Sequence, residues 1–599
     1  AYHGNVAIYN PTRMYDLVTN SAEYMELYNE ALINDGLDRK FDSDLIEKYR
    51  SRNNIYRYPD VDYYSDEFLK NFRNTTRIIT EFSGGNKNTR YYTNLGWTNW
   101  GSLFEQGQAQ TTNRFNVRGN IDFKITDYIS SHLDAVVVFD IDKGPNGDFW
   151  SNAAVLHPYY YSPILPVSMV NEPSILETAK LVRGQYILGG TTQYQDNVYG
   201  NMYLGGYMQN IQRTAQFNGG VDFDIDRWVK GLKFKTYLSF DFYNQYSQSV
   251  NNEYAVYSPV WGDNDEILSI TKINEDVSTG VQNLGSGSLT RRLGFYGLFD
   301  YNRTFKDVHK VSGSLLGFYN TLDRNDELLT AKYAHLGLRL TYNYAQRYLV
   351  DFSANYSNSI KLPKANRGGF SPTVGLAWVV SNEDFWKDND ILNYLKVKLS
   401  GGVLKTDENI GSYLYGESYW YDGSYSWGNG SYSGNITYAG RSANSNLSYE
   451  KMKNINVGLE TYWFDKQLAL EGNFFYNRYS DQVLRRYNYY PSFVSVFFPD
   501  ENYEEDSYTG VEIGAVWSRN IGSFSFDLGA NLLYSTSQVL KEDELWANAY
   551  QYRKGNSIDA QYGLICEGFF KDQADIESSP RQKFGEVRPG DLKYVDLND

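Results

Sequence analysis

The stretch RFNVRGNIDFKIT, from Arg114 to Thr126, decides the fold class of this 599-residue chain. Apolar residues and one glycine occupy every second position, and polar residues occupy the positions between them. A period of two places each kind of residue on its own face of a β-strand. The segment runs for about twelve residues, whereas the commonest strand length in globular proteins is about five or six. We therefore expect a long strand with one apolar face.

The same pattern recurs along the chain. The stretch HLDAVVVFDID from His132 pairs with the first one through a turn at Asp127 and Tyr128, and FNGGVDFDI from Phe217 precedes LKFKTYLSFDF from Leu232. Further strand pairs begin near Ile78 and Tyr91, Leu293 and Val308, Leu336 and Tyr348, Pro372 and Leu395, Ile455 and Leu468, and Val511 and Phe524. With a half-strand at Val6 to Tyr9, this makes about seventeen strands, each near the roughly ten residues that a tilted membrane strand requires. The pattern predicts an all-β protein, a large antiparallel transmembrane β-barrel.

The connections between strands alternate in length. Short ones such as Lys306 to Val308 and Ala345 to Arg347 are followed by long ones such as Lys143 to Arg213. Short periplasmic turns and long outer loops are typical of outer-membrane barrels. Tryptophans near strand ends, among them Trp378 and Trp463, suit an aromatic girdle. A large soluble β-protein is the alternative, which the long polar faces and the regular alternation of loop lengths disfavour.

These connections define the expected organisation. We predict a partial transmembrane barrel over residues 1–599, with a first outer loop containing short helices at 10–75, an aromatic outer loop at 404–453 and a further outer loop at 537–599. In the first loop, Asn20 or Ser21 caps a predicted helix that ends before Gly36. Its residues at helical spacing are Tyr24, Leu27, Tyr28, Ala31 and Leu32. This stripe is expected to pack on the barrel mouth, with partner docking as the alternative.

Composition excludes several classes of function. The net charge of -16 disfavours a nucleic-acid surface, and no motif of a nucleophilic, phosphate-binding or zinc-dependent enzyme occurs. We therefore expect no catalytic residues and no enzyme. The single cysteine, Cys566, has no partner for an internal disulfide. We predict that it is a buried, unpaired thiol.

Seven stretches carry a resemblance to a known family. They are RMYDLVTNSAEYMELYNEAL from Arg13, RYYTNLGWTNWGSLF from Arg90, YNRTFKDVHKVSGSLL from Tyr301, FSPTVGLAWVVSNEDFW from Phe370, LKVKLSGG from Leu395, NSNLSYEKMKNINVGLE from Asn444 and PGDLKYVDLND from Pro589. Together they resemble the SusC/RagA family, the SusC-like TonB-dependent transporters of Bacteroidetes outer membranes. The resemblance implies a 22-stranded barrel with an amino-terminal plug. The plug and the last strands are not represented in the sequence, and we expect that they exist outside it.

The family resemblance also implies function and partners. It implies import of oligosaccharides or oligopeptides, energised by TonB through the plug, with a SusD-like lipoprotein as a lid. Outer-membrane lipid and lipopolysaccharide would surround such a barrel, and no nucleic acid is expected. The alternative is a plugless barrel of the same type that acts as a structural scaffold in a larger outer-membrane assembly.

The most informative outer loop runs from Gly411 to Gly440 and is the seventh by strand count. Its aromatic residues alternate with Gly, Ser and Asn, a composition that also makes antibody loops effective in recognition. The candidate contact residues are Tyr413, Tyr419, Trp420, Tyr421, Tyr425 and Trp427. In SusC-like proteins this region is expected to contact the lid. Partner contact, direct ligand stacking and an ordinary packed loop are the three interpretations.

The last residues, KYVDLND, resemble the opening of a calcium loop. Asp596 and Asn598 would stand at its first and third ligand positions, and Asp599 is displaced by one from the fifth. Neither the glycine nor the distal glutamate of such a loop follows. Calcium is therefore one hypothesis for this segment, and a solvated acidic turn is the other.

Overall fold

Seventeen long strands form one antiparallel sheet in the computed structural model, which describes residues 1–107, 110–285, 287–327, 330–386, 389–494 and 496–597. In chain order the strands β1 to β17 are Tyr2–Tyr9, Arg73–Gly85, Thr89–Trp100, Thr111–Lys124, Ile129–Pro145, Gly206–Asp224, Leu232–Asn251, Ser288–Phe305, His309–Arg324, Ala331–Tyr344, Tyr348–Ser359, Gly368–Val379, Leu392–Thr406, Glu450–Trp463, Leu468–Arg485, Asp500–Ile521 and Phe524–Lys541. Each strand neighbours the next one along the chain, and the two-residue strand Asn283–Leu284 pairs with β7. The predicted all-β antiparallel sheet of about seventeen strands is confirmed.

Most strands are longer than the ten residues predicted. Their lengths range from 8 residues in β1 to 22 in β16. Strand β16 begins with DENYEED, where polar residues occupy both faces. Such a segment shows no apolar period, yet its backbone still pairs with β15 and β17. The long loops are correspondingly shorter than predicted, so that the loop expected at Lys143 to Arg213 covers only residues 146–205.

The short turns have the tight geometry expected of hairpins. Lys306 and Asp307 have φ angles of 48° and 59°, and Ala345 and Gln346 have 49° and 57°. Two successive residues with positive φ match the right-handed twist of the flanking strands. The predicted short connections at these two positions are confirmed.

One face of the sheet is continuously apolar. In the first five strands Val117 lies opposite Leu95 and Val137, and further along Val457 lies opposite Leu399 and Phe474. These side chains are also open to the surroundings, with Val117 47% and Val457 45% exposed. Soluble monomers rarely expose so large an apolar surface, whereas an outer-membrane barrel turns this face to lipid. No helix in the described part of the chain is long and apolar enough to cross a bilayer.

The chain divides into two compact units. The first comprises residues 1–227, 233–297 and 319–332, and the second comprises 228–232, 298–318 and 333–599. In the first unit three long loops, at 10–72, 146–205 and 252–285, pack into a common apolar core. Phe68 and Tyr199 are 1% and 0% exposed, and their ring centroids are 5.2 Å apart. These loops therefore form a compact, aromatic-rich layer of their own.

Six short α-helices, all in the loops, complete the fold of the described residues. Helices α1 to α6 are Ser21–Asn34, Ser43–Ser51, Phe149–Val155, Pro173–Thr178, Val198–Tyr203 and Gln573–Ser578. As predicted, the Asn20 side chain caps α1 by accepting a hydrogen bond from the Glu23 amide at 2.9 Å. The predicted apolar stripe is only partly right, because Leu27 is 47% exposed while Ala22 and Met25 are buried against Phe41. Helix α1 packs on α2 and the loop segments beside it.

Candidate docking hairpin

The aromatic loop forms a separate two-stranded hairpin. Strand Ser418–Trp427 pairs antiparallel with Tyr432–Arg441, apart from the main sheet. The connecting turn contains Gly428, Asn429 and Gly430 with φ angles of 63°, 52° and 84°. Glycine and asparagine adopt this left-handed region at the lowest cost, so the sequence GNG fits the turn. The loop lies between β13 and β14, the position in the strand order that the sequence predicted.

A β-bulge sorts the aromatic residues onto one face. Tyr421 pairs with Thr437 and Ser424 pairs with Asn435, so Asp422 and Gly423 together face one partner residue. Gly423 has a φ of 72°, which is typical of a glycine bulge. Because of the extra residue, Trp420 and Tyr425 share a face although their numbers differ by five. Without the bulge they would point to opposite sides.

The resulting aromatic face carries five rings. They belong to Trp420, Tyr425, Trp427, Tyr432 and Tyr438, which are 42%, 65%, 51%, 63% and 46% exposed. The Trp427 ring centroid lies 6.1 Å from that of Tyr425 and 6.2 Å from that of Tyr432, with interplanar angles of 24° and 14°. Together these five rings form the aromatic face of the hairpin.

Gly440 makes the close approach of Trp420 to the second strand feasible. A Cβ atom at Gly440 would lie 1.8 Å from the nearest atom of the Trp420 indole. Any side chain at this position would therefore displace the ring. Gly440 thus leaves room for the Trp420 ring at one end of the aromatic face, and the GNG turn lies at the other end.

The remaining predicted contact residues lie elsewhere. Tyr419 and Tyr421 point from the opposite face, and the Tyr419 ring lies 6.3 Å from that of Phe497. The Tyr419 hydroxyl donates a hydrogen bond to Glu417 at 3.2 Å, and the nearby carboxylate raises the pKa of the phenol. Tyr413 precedes the hairpin, with a φ of 59° and its ring 6.0 Å from that of Tyr415. Of the six candidates, the structure therefore groups Trp420, Tyr425 and Trp427.

A buried guanidinium fixes the base of the hairpin. Arg441 Nε donates to the Gly416 carbonyl at 3.0 Å and Nη2 donates to the Tyr413 carbonyl at 2.9 Å. Its Nη1 lies 3.4 Å from Asp500 Oδ2, and Asp500 Oδ1 lies 3.5 Å from Arg485 Nε. The side chains of Arg441 and Asp500 are only 12% and 10% exposed. Hydrogen-bonded ion pairs that exclude water are costly to break, so the base is held firmly.

A small apolar cluster lies beneath this base. Leu362, Ile410, Leu447 and Tyr449 are buried together. The Tyr449 hydroxyl donates to the Arg367 carbonyl at 2.6 Å, and burial raises the pKa of this phenol. The hairpin is thus an exposed arm on a packed support. An arm of this kind can present its side chains to a partner without reorganising the sheet.

The calcium hypothesis lies largely outside the described residues. Asp596 follows the strand Leu592–Tyr594, whereas Asn598 and Asp599 lie outside the described residues. Within the described ranges, no group of three or more His, Cys, Asp or Glu side chains is arranged to hold a metal ion.

The prediction for Cys566 was wrong in one respect. The thiol is free but exposed. Cys566 begins a four-residue strand that pairs with Leu592–Tyr594 in a small separate sheet. So short a pair cannot bury its side chains, whatever their apolar character.

Comparisons with known proteins identify the relatives of this chain. No family model matches it. A TonB-dependent receptor of Formosa agariphila is 22% identical over 547 residues, covering 83% of this chain and 46% of the receptor. TonB-dependent receptor SusC of Bacteroides thetaiotaomicron is 24% identical over 456 residues, covering 75% of this chain and 36% of SusC. The chain therefore spans about half the length of these curated relatives or less.

Solved structures show the same fold. The RagAB peptide transporter matches with a TM-score of 0.70 and 16% identity, over 95% of this chain and 65% of that one. The RagAB peptide importer in its closed-closed state matches with a TM-score of 0.69 at 15% identity. The curated relatives are TonB-dependent receptors, and the solved ones are a peptide importer and a peptide transporter. The chain is therefore similar in sequence to TonB-dependent receptors, SusC among them, and it shares its fold with the RagAB structures.

Proposed function

We propose that this protein imports nutrient oligomers across the outer membrane, energised by TonB, and that the aromatic hairpin docks a SusD-like lid lipoprotein. The observation that carries the proposal is the aromatic face, five half-exposed rings on a rigid support. Aromatic side chains bury roughly 150–250 Å² each when they are covered. Leaving several of them in water is unfavourable unless a partner covers them.

The exposed area of the five rings indicates what share of an interface the hairpin supplies. Five rings that are about half exposed offer several hundred Å², on the order of half of the roughly 800 Å² that each partner contributes to a standard interface. A few buried aromatic residues commonly dominate binding free energy, so Trp420 and Trp427 are the expected anchors. The hairpin would therefore provide one strong attachment, and other loops would complete the contact.

The cargo is proposed to be an oligosaccharide or an oligopeptide. The solved relative RagAB is described as a peptide importer, which supports the second class. Several charges on the polar face of the sheet are paired: Lys398 Nζ lies 2.6 Å from Glu460 Oε1, and Arg339 Nη2 lies 2.5 Å from Asp351 Oδ2. Paired charges of this kind favour neither an acidic nor a basic cargo.

Deletion of residues 418–441 in the full-length transporter tests the proposal. The main sheet needs no backbone pairing from the hairpin, so the barrel should still fold and reach the outer membrane. We expect co-purification of the lipoprotein to fall, together with uptake of labelled oligosaccharide or peptide. Intact partner binding with lost uptake would instead favour direct stacking of cargo on the rings. Unchanged binding and uptake would contradict both roles.

A further inference from the structure

We infer that the second unit carries a binding site for the phosphate groups of lipopolysaccharide, formed by four cations at the outer end of its apolar face. The four side chains are those of Lys405, Lys451, Lys453 and Arg478. They lie on three neighbouring strands, β13, β14 and β15. The inference rests on the outer-membrane barrel fold and does not depend on the role proposed for the hairpin.

The register places like charges directly opposite each other. Lys405 pairs with Lys451 across β13 and β14, and Lys453 pairs with Arg478 across β14 and β15. Opposed like charges destabilise a sheet when nothing lies between them. Two adjacent pairs of this kind therefore indicate a site shaped for an anion.

Two carboxylates neutralise only half of the cluster. Lys451 Nζ lies 2.6 Å from Asp481 Oδ2, and Arg478 forms an ion pair with Glu505. Lys405 and Lys453 form no ion pair with any residue in the described ranges. The ammonium groups of Lys405 and Lys453 therefore remain for a ligand.

The position of the cluster points to a lipid ligand. On β14 the same face presents Ile455, Val457 and Leu459 directly below Lys453, and Trp463 at the other end of the strand. Ten residues separate Trp463 from Lys453; at about 3.3 Å per residue and a tilt of about 45°, they rise roughly 23 Å. The lipid-facing band of such barrels is about 25 Å tall, so Lys453 stands at its outer edge. Phosphates of the outer-leaflet lipid lie at this level.

The first unit repeats the arrangement. On its apolar face the outer ends of the strands carry Lys143, Arg213, Arg291 and Lys332. The Lys143 ammonium lies 4.7 Å from the Tyr207 ring centroid, and Arg213 Nη2 donates to the Tyr246 hydroxyl at 2.7 Å. Basic and aromatic residues above an apolar band are typical of a surface that meets anionic headgroups. The cluster in the second unit is the denser one, because its registers bring four cations together.

Binding of lipid A to the purified full-length transporter, freed of bound lipid, tests the inference. We expect Lys405→Gln with Lys453→Gln to weaken binding of lipid A carrying two phosphates by about thirtyfold, from roughly fivefold per lysine near an anionic headgroup. The matched control is Lys233→Gln with Lys235→Gln. These two lysines lie at the short-turn end of β7, which is the end opposite to the one proposed as the outer end. Native mass spectrometry of the complexes measures the affinity.

Three outcomes of the binding measurements would overturn the inference. Lipid A affinity of the double variant within twofold of the parent is the first, and an equal loss in the control variant is the second. The third is competition by about 10 mM inorganic phosphate as effective as that of lipid A, which would make the site one for soluble anions. Without lipid, the double variant should melt no lower than the parent, because removing opposed charges relieves repulsion. A lower melting temperature would assign the lysines a structural role instead.

Discussion

Two aromatic-rich regions of this protein have opposite exposure. In the first unit the long loops bury their rings, and Tyr199 is 0% exposed. In the second unit the hairpin leaves Tyr425 65% and Trp427 51% exposed. The three long loops of the first unit cover one another's aromatic side chains in their common apolar core. Few other residues contact the hairpin above its base. The same residue types therefore stabilise the fold in one place and remain free to bind in the other.

The largest expected effect is a loss of local stability when the apolar core of the three long loops loses a side chain. Phe68→Ala should lower local stability by about 3–5 kcal/mol, because Phe68 packs against Tyr63, Phe149 and Tyr199 and its removal leaves a cavity. Hydrogen exchange of residues 146–205 measures the change, and these amides should lose protection. The control is Tyr421→Ala on the exposed hairpin, which should leave their protection unchanged. Equal protection in both variants would show that the core does not hold the loops.

The second-largest effect should be a loss of affinity for the lid lipoprotein without a loss of stability. Trp427→Ala and Trp420→Ala should each weaken the complex with the lid lipoprotein by about 2 kcal/mol or more, since few aromatic anchors dominate an interface. Loop protection and melting temperature should not change, because both rings are about half exposed. Calorimetric titration of the purified partners gives the affinity. Tyr419→Ala and Tyr421→Ala, on the opposite face, should have much smaller effects; a reversed order would assign docking to that face.

A smaller effect should follow from displacing one ring of the aromatic face. A Cβ atom at position 440 would lie 1.8 Å from the Trp420 indole, so Gly440→Ala should move that ring out of line with Trp427. With the aromatic face disturbed, we expect affinity for the lipoprotein to fall about tenfold, roughly 1.4 kcal/mol. Deletion of Gly423 is the control: it removes the bulge but leaves Asp422 alone opposite Ile436, so Trp420 and Trp427 still share a face and binding should be nearly that of the parent. Similar affinities for Gly440→Ala and the Gly423 deletion would show that the position of the Trp420 ring is unimportant.

The smallest expected effect concerns pH in the first unit. His157 Nε2 lies 3.2 Å from the Tyr24 hydroxyl, and burial, with a further contribution from Lys40, lowers the pKa of the imidazole below its ordinary 6.5. The unfolded loop then binds a proton more readily than the folded loop. Loop stability should therefore rise with pH up to about 6.5 and decrease as pH falls below it.

Proteolysis of the loops between pH 5.5 and 7.5 checks this expectation. Cleavage should be faster at the lower pH, and His157→Gln should flatten the dependence. The hairpin in the same samples serves as an internal reference. A His157→Gln variant with an unchanged pH profile would contradict the assignment to this histidine.

Sequence alone predicted the sheet because period-two alternation is a direct consequence of strand geometry. It failed where polar residues cover both faces, as in the outer part of β16, and where loops pack on one another, as around Met25 and Phe41. It also grouped Tyr419 and Tyr421 with Trp420, because it treated the segment as a loop and not as a strand, in which adjacent side chains point to opposite faces. It missed the bulge that brings Tyr425 onto the face of Trp420, since a bulge is set by pairing between strands. The dipeptide Asp422–Gly423 was the one local signal for that bulge. Cys566 was misjudged because burial depends on the size of the sheet around it.

Photo-crosslinking from the two faces of the hairpin tests the central claim most directly. A photoreactive phenylalanine analogue replaces Trp427 on the aromatic face or Tyr421 on the opposite one, in the full-length transporter with its lipoprotein. Both substitutions keep an aromatic ring, so the hairpin should stay intact. The account predicts an adduct with the lipoprotein from position 427 and little from position 421. Adducts from position 421 alone, or from neither position in a complex that still forms, would contradict docking through the aromatic face.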